Sequence, residues 1–353
     1  QALHWRKSSS HDEKMAIESI ELAAKSGDDT AKIAAHTARA ESMNGPHQAG
    51  ERVALLREIE SPLCRSAETP AHLLQKTRLI SALMELGEMR EVEIINEQYR
   101  TMAGGTGLAQ YMWMPIAHDC MLATMRGELD RADTLATEYQ EIAGTHPDAN
   151  VVQTFAMQSA LREFERDQAV EILPLAREMS QSQKSVLGWQ AAIVYLQCDA
   201  GHLDDARSSL HAFSEVDIAA ALTDVGGGLS IAMLAEVAVQ LRETKYIEIL
   251  WDHLRPIENR FASGGYGMLY LGSFARYAGL VAHALGETPT AVRLLNVAIE
   301  SESRVRAHSW HAYANLDLIR IELESGLNPD LAVTRLDEVR KVAALRHLPH
   351  VER

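Results

Sequence analysis

Five glycines, Gly87, Gly127, Gly201, Gly286 and Gly326, each end one apolar-periodic run just before another begins. The stretches are "ALMELGEMREV", "ATMRGELDRADTL", "LQCDAGHLDDARSSL", "AHALGETPTAVRLL" and "ELESGLNPDLAVTRL". Two more units, "REFERDQAVEIL" near Asp167 and "VQLRETKYIEIL" near Thr244, keep the pattern without the glycine. The turns recur roughly every 40 residues, with one shorter interval. A glycine ends a helix at little cost because it accepts a left-handed backbone. An Asp or Thr just after it is placed to cap the next helix. Ala132, Ala206 and Ala291 each follow a turn glycine by five residues, where a small side chain lets the second helix approach the first. The second helices carry apolar residues three and four apart, as in Leu135, Ala136 and Tyr139.

This repeat predicts an all-α fold: a right-handed superhelix of seven or eight stacked antiparallel helix pairs, like a tetratricopeptide solenoid. No pair buries its apolar faces alone, and the stack buries them jointly. Residues 1–353 are expected to form one domain, with N-terminal helices over 1–60, repeat pairs over 61–346 and a tail over 347–353. Apolar residues are 46% of the chain but aromatics only 5%, a balance that favours helix. No Val/Ile/Thr-rich alternating run lies between turn signals, so no strand is expected. Pro115 is expected to kink or delay its helix. The longest connection is "SEVDIAAALTDVGGG", 214–228, read as a plain loop.

Charge and cysteine content exclude several classes. The net charge is −15, acids outnumber bases 49 to 34, and no basic run exceeds "HWRK", so the chain is not expected to bind nucleic acid. Cys64, Cys120 and Cys198 are odd in number and far apart, which reads as reduced thiols in a cytoplasmic protein. No apolar run reaches the roughly 18 residues of a membrane span, and no signal peptide is expected. The chain does not begin with Met and reads as a fragment, with 1–60 as the junction to an upstream ATPase.

Candidate chemistry is sparse. "FASGGYGMLYLG", 261–272, has the look of a phosphate loop. With Gly265 and Gly267 in a dinucleotide fingerprint, the third glycine falls on Tyr270. With Gly267 and Gly272 in a P-loop, Ser273 stands where the lysine is required. "MAGGTGLAQ", 102–110, lacks the lysine too, and both stretches read as turns leading into helices. His308 and His311 share a helix face, but a metal needs more ligands, so a metal-dependent enzyme built on them is a remote alternative. "HLPH", with His347 and His350, reads as a tail. His118, Asp119 and Cys120 point about 100° apart on a helix and form no triad among themselves. "QYMWMPIAHDCMLATM" reads as core, with Cys120 a small residue where two helices touch. No catalytic residue, cofactor or metal is expected.

Residues 248–326 carry a resemblance. Gly264, Gly265, Gly267, Arg276, Tyr277, Gly279, Leu285, Gly286, Ala291 and Trp310 match a glycine-rich turn, an "RY-G-LA--LG" helix, an "A---L--A" helix and a Trp-containing helix. That series resembles the repeat region C-terminal to the ATPase module of large bacterial signalling proteins. These are maltose-activator-type regulators with a LuxR-like DNA-binding domain, and class III nucleotide cyclases fused to the same ATPase. A weaker likeness covers residues 45–89. The resemblance implies a non-catalytic sensor or scaffold that binds an inducer or protein partner; a freestanding adaptor for partner peptides is the alternative. In a tetratricopeptide stack the first helix of each pair lines the concave groove. By register from the turn glycines, Met114, Met121, Tyr195, Arg276, His283, Tyr313 and Arg320 face it, to meet a protein, a peptide or a small-molecule inducer. Self-association is compatible with such an array.

Overall fold

The computed structural model describes residues 10–43, 45–60, 70–144, 149–182, 187–222, 226–327 and 329–352. The helices are α1 (Ser10–Ser26), α2 (Asp29–Ser42), α3 (Ala49–Arg57), α4 (Pro70–Leu86), α5 (Met89–Thr106), α6 (Ala109–Met125) and α7 (Leu129–Ala143). Then come α8 (Ala149–Glu165), α9 (Ala169–Ser182), α10 (Leu187–Asp199), α11 (Leu203–Leu210), α12 (Glu215–Ala221), α13 (Gly227–Leu241) and α14 (Thr244–Leu254). Two strands, β1 (Phe261–Gly264) and β2 (Leu269–Ser273), precede α15 (Phe274–Ala284), α16 (Thr288–Val305), α17 (His308–Glu324), α18 (Pro329–Arg346) and α19 (Pro349–Glu352). The architecture is an all-α solenoid of antiparallel helix pairs, with α4–α5, α6–α7, α8–α9, α10–α11, α13–α14, α15–α16 and α17–α18 in direct contact. Among the described residues, no helix is long and apolar enough to cross a membrane.

One turn geometry joins these pairs. At Gly87 the glycine N–H donates to Met84 and the Glu88 N–H reaches back to Leu83, a six-to-one closure with Gly87 left-handed. The same two bonds recur at Gly127, Gly201, Gly286 and Gly326. They recur at Asp167 and Arg242 as well, which adopt positive φ without being glycine. The expected side-chain caps do not form after Gly87, Gly127, Gly201 and Gly286. Glu88, Glu128, His202 and Glu287 occupy the N-cap, and none caps through its side chain. The small-residue contacts do form: Ala132, Ala206 and Ala291 are fully buried. On α16, Ala291, Leu294, Leu295 and Ala298 make one buried face, and Gly279 of α15 meets Leu295 there.

Three expectations are corrected. Strands are present: β1 and β2 pair antiparallel, with Gly264 opposite Leu269 and a bulge between Phe261 and Ser263. The helix pattern before them stops at Leu254, is followed by a 3-10 turn at Arg255–Ile257, and gives way to extended backbone at Phe261. α6 runs unbroken through Pro115, without delay, and the Pro115 carbonyl accepts from Asn96 Nδ2 at 2.9 Å. Residues 214–222 of the longest connection are mostly helical: α12 is fixed by a Ser214–Asp217 capping box. Residues 223–225 of that stretch lie outside the described part, as do Cys64 and "HWRK".

The hairpin is inserted among the helices. β1 packs on α4 and α13, while β2 touches α6, α13, α15, α16 and α17. The tip wedges between α4 and α6. Arg78 of α4 lies 3.5 Å above the Tyr266 ring, and His118 Nε2 of α6 lies 3.1 Å from the Tyr266 carbonyl. Gln158 of α8 donates through Nε2 to both Ala117 and Met268 carbonyls at 2.9 Å. The chain's end also returns on its middle: α17 meets α6, and α19 meets α8.

Candidate functional site

Beside the hairpin lies an apolar cavity of about 110 Å³. Its walls come from α8 (Met157, Leu161, Phe164), α10 (Trp189, Tyr195), α13 (Leu229, Met233), β2, α15 (Tyr277) and α17 (Trp310). Every one of those helices is the first of its pair, so the wall is the inner surface of the stack. β2 supplies Leu269 and Leu271 to the cavity. Tyr270, between them in sequence, sits on the opposite face and donates its hydroxyl to Glu302 of α16 at 2.5 Å. The Ser273 N–H donates to the other Glu302 oxygen. The strand is thus a partition with the cavity on one side and core on the other. Burial pushes the Glu302 carboxyl up to about 7, with the Tyr270 and Ser273 donors acting against that rise.

Polar groups flank the cavity. Arg276 of α15 is buried and grips Glu236 of α13 bidentately, at 2.9 and 3.0 Å, and Asp317 of α17 at 2.7 Å. Its guanidinium carbon stands 5.3 Å from the Tyr277 centroid and 5.5 Å from that of Tyr313. Tyr313 of α17 donates to the buried Glu165 of α8 at 3.1 Å, closing the stack across 148 residues. Burial raises the Glu165 carboxyl above its ordinary range. These bonds tie together the helices that wall the cavity and fix its shape.

Of the residues placed on the groove by register, Tyr195 lines the cavity. Arg276 and Tyr313 stand next to each other behind its wall, engaged in the bonds above. Arg320 reaches Asp317 at 3.3 Å, and His283 meets Glu324 at 3.0 Å. Met114 packs in the cluster around Tyr99 and Tyr139, and Met121 in the main core. The cavity's Phe164, Trp189, Leu229, Leu271 and Trp310 were outside that register set. Phe164, Trp189 and Trp310 are legible as aromatics on first helices, whereas Leu271 belongs to a hairpin that the sequence pattern does not show.

The other candidates separate cleanly. His118 faces the hairpin tip, Asp119 accepts from Asn96 and Arg100, and Cys120 donates to the Ala132 carbonyl at 3.2 Å. Burial pushes the Cys120 thiol up to about 11, which makes it a poor nucleophile. His308 and His311 belong to no group of three metal-ligand side chains among the described residues. Asn315 donates to the His311 carbonyl at 2.8 Å. The 261–272 stretch is the hairpin: the Gly267 and Met268 N–H donate to the Gly264 carbonyl, and the Tyr266 and Met268 carbonyls meet His118 and Gln158. The stretch at 102–110 is the end of α5, a left-handed Gly107 and the start of α6. His350, expected in a tail, is instead packed against Phe164, with ring centroids 4.1 Å apart.

No family model matches this chain, and no curated protein matches it. Among solved structures, it is similar to a Rap protein complexed with competence and sporulation factor. The two share 15% identity over 90% of this chain and 77% of that one, with a TM-score of 0.43. The apo form of RapI gives 13% identity, 88% and 76% coverage, and a TM-score of 0.38. The Cut9–Hcn1 hetero-tetramer of APC/C gives 13% identity, 97% and 67% coverage, and a TM-score of 0.40.

Proposed function

We propose that the chain is a non-catalytic binding module whose interior cavity receives one apolar group of a peptide partner or small-molecule inducer. The observation that carries this is the lining: the cavity is walled almost wholly by apolar side chains from five first helices and β2. Its volume, about 110 Å³, suits a group near the size of an aromatic ring or a branched aliphatic side chain. The helices around it belong to pairs that run out to the solvent face, so a ligand that spreads them is felt along the stack.

Trp189 and Trp310 stand in the wall and report occupancy by fluorescence. Toluene serves as a probe of the space, and native mass spectrometry of the chain after exposure to a cellular peptide and metabolite extract tests for a natural ligand. Ala192→Phe fills the cavity from α10. The expected outcome is saturable toluene binding and at least one retained small ligand, both lost in Ala192→Phe at unchanged helical content. A chain that retains nothing the variant lacks removes the reading.

We further propose, on the resemblance of residues 248–326, that the module belongs to a larger ATPase-bearing regulator or nucleotide cyclase, with the cavity as its inducer sensor. The intact mass of the native gene product tests this against the 39.0 kDa of the present chain. A product heavier by two or more domains supports the regulator. A product near that mass leaves a freestanding adaptor.

A further inference from the structure

Asp167, Asp199 and His350 come from three distant parts of the sequence, yet one ligand-type atom from each lies within 4.8 Å of the others. Asp167 is the turn residue between α8 and α9, Asp199 ends α10, and His350 lies on α19. His350 Nε2 and Asp199 Oδ1 are 3.0 Å apart, close to the roughly 3.3 Å edge of a tetrahedron with metal–ligand bonds of about 2.0 Å.

The imidazole is held from outside the cluster. Its ring packs on Phe164 at 4.1 Å and edge-on to Tyr313 at 5.5 Å. Nδ1 meets the Tyr313 hydroxyl at 3.0 Å, and that hydroxyl also contacts the buried Glu165 at 3.1 Å. A chain of this kind on the far nitrogen is what orients metal-binding histidines: it fixes the ring and directs Nε2 at the site. Here it directs Nε2 at two carboxylates. A polar, solvent-open depression is lined by Arg166 and Gln168, on either side of Asp167, and by His347 and Pro349, close to His350. Three arginines share that depression, each engaged: Arg131 with Glu128, Arg166 with Asp133 and Glu163, and Arg346 with the Arg126 carbonyl.

We propose that Asp167, Asp199 and His350 bind a divalent first-row transition-metal cation that staples α19 to the turns at the ends of α8 and α10. One nitrogen and two carboxylate oxygens suit Zn²⁺ or Mn²⁺ and leave at least one position to water. Elsewhere on the surface, histidine–carboxylate pairs such as His211–Glu243 and His283–Glu324 offer one acid each. The staple site is separate from the apolar cavity, though Phe164 is shared by the cavity wall and the His350 stack.

The test uses the whole chain, stripped of metal by a chelator and titrated with ZnCl₂ and then MnCl₂ by calorimetry, with Tm measured in parallel. The expected result is one equivalent of Zn²⁺ per chain, bound more tightly than Mn²⁺, and a Tm that rises with Zn²⁺. Asp167→Asn, whose side chain also accepts the left-handed turn, weakens Zn²⁺ binding by about tenfold or more and removes most of the Zn²⁺-dependent rise in Tm. His211→Gln, at a surface pair, leaves the single equivalent intact. The absence of saturable binding up to about 1 mM Zn²⁺ overturns the proposal, as does wild-type affinity in both Asp167→Asn and His350→Gln.

Discussion

Glu302 shows how a single residue can set a pH dependence for the whole fold. It lies in "AIESESRVRA", where it reads as one more surface acid, yet it is fully buried and holds β2 through Tyr270 and the Ser273 N–H. Its carboxyl titrates near 4.5 when unfolded and about 7 in the fold, because burial disfavours the charge. The folded chain therefore holds this proton more tightly than the unfolded chain does. The contribution is full below about pH 4.5 and is lost as the pH rises through about 7, with a total of roughly 3 kcal/mol. Glu302→Gln mimics the protonated form, its amide oxygen accepting from Ser273 and its NH₂ donating to Tyr270. Urea unfolding of both proteins at pH 5 and pH 8 isolates the effect. The stability of the wild type relative to Glu302→Gln is expected to fall by roughly 3 kcal/mol between those values. An unchanged difference would mean that Glu302 does not titrate in this window. The helical period alone puts Glu302 on the buried stripe of α16, four residues after Ala298 and three before Val305, whereas Glu300 lies off it. What the sequence does not show is what satisfies the carboxyl there, since its donors Tyr270 and Ser273 come from β2.

At the level of elements, the turns were legible and the hairpin was not, and the reason lies in how each signals itself. A left-handed helix end selects for glycine at one position, so Gly87, Gly127, Gly201, Gly286 and Gly326 announce their pairs locally. β1 and β2 are four and five residues long and buried on both faces, so they carry no polar–apolar alternation to read. Their glycines resemble those of a phosphate loop because both structures need the backbone to come close to something: here Gly264 approaches Leu229 of α13, Gly267 approaches α4 and α6, and Gly272 approaches Glu302 of α16 and Trp310 of α17. Gly87 illustrates the overlap. Its φ is +76°, and a Cβ there would run into the ring of Phe261 on β1. Gly286 has a φ of +84° and nothing within 4 Å of such a Cβ. Both alanine variants incur the left-handed backbone cost of about 1–2 kcal/mol. Gly87→Ala also displaces a fully buried aromatic and is expected to lose about 1–3 kcal/mol more than Gly286→Ala in denaturant unfolding. Equal losses would show that the hairpin does not depend on its seat at this turn.

Across the whole molecule, the question is whether the pairs behave as a row or as a closed unit. In a simple solenoid each pair touches only its neighbours, and damage at one end frays that end. The cavity needs more than a row. Its walls join α8 and α10 to α15 and α17, and it exists because the hairpin fills the neighbouring space and the C-terminal helices return to the middle. No local pattern encodes that return; it depends on curvature accumulated over many pairs and on contacts such as Tyr313 with Glu165. Leu348 tests it. It is fully buried against the turn at Gly127, where Arg346 also donates to the Arg126 carbonyl at 3.2 Å. Leu348→Ala is expected to cost about 2–4 kcal/mol by opening a cavity. If closure makes the array one cooperative unit, that loss appears as faster amide exchange throughout 109–165, about 200 residues away in sequence, together with a lower global midpoint. If exchange accelerates only over 329–352, the last helices are a dispensable cap. The cavity would then have to be held by the hairpin and the Arg276 ion pairs alone.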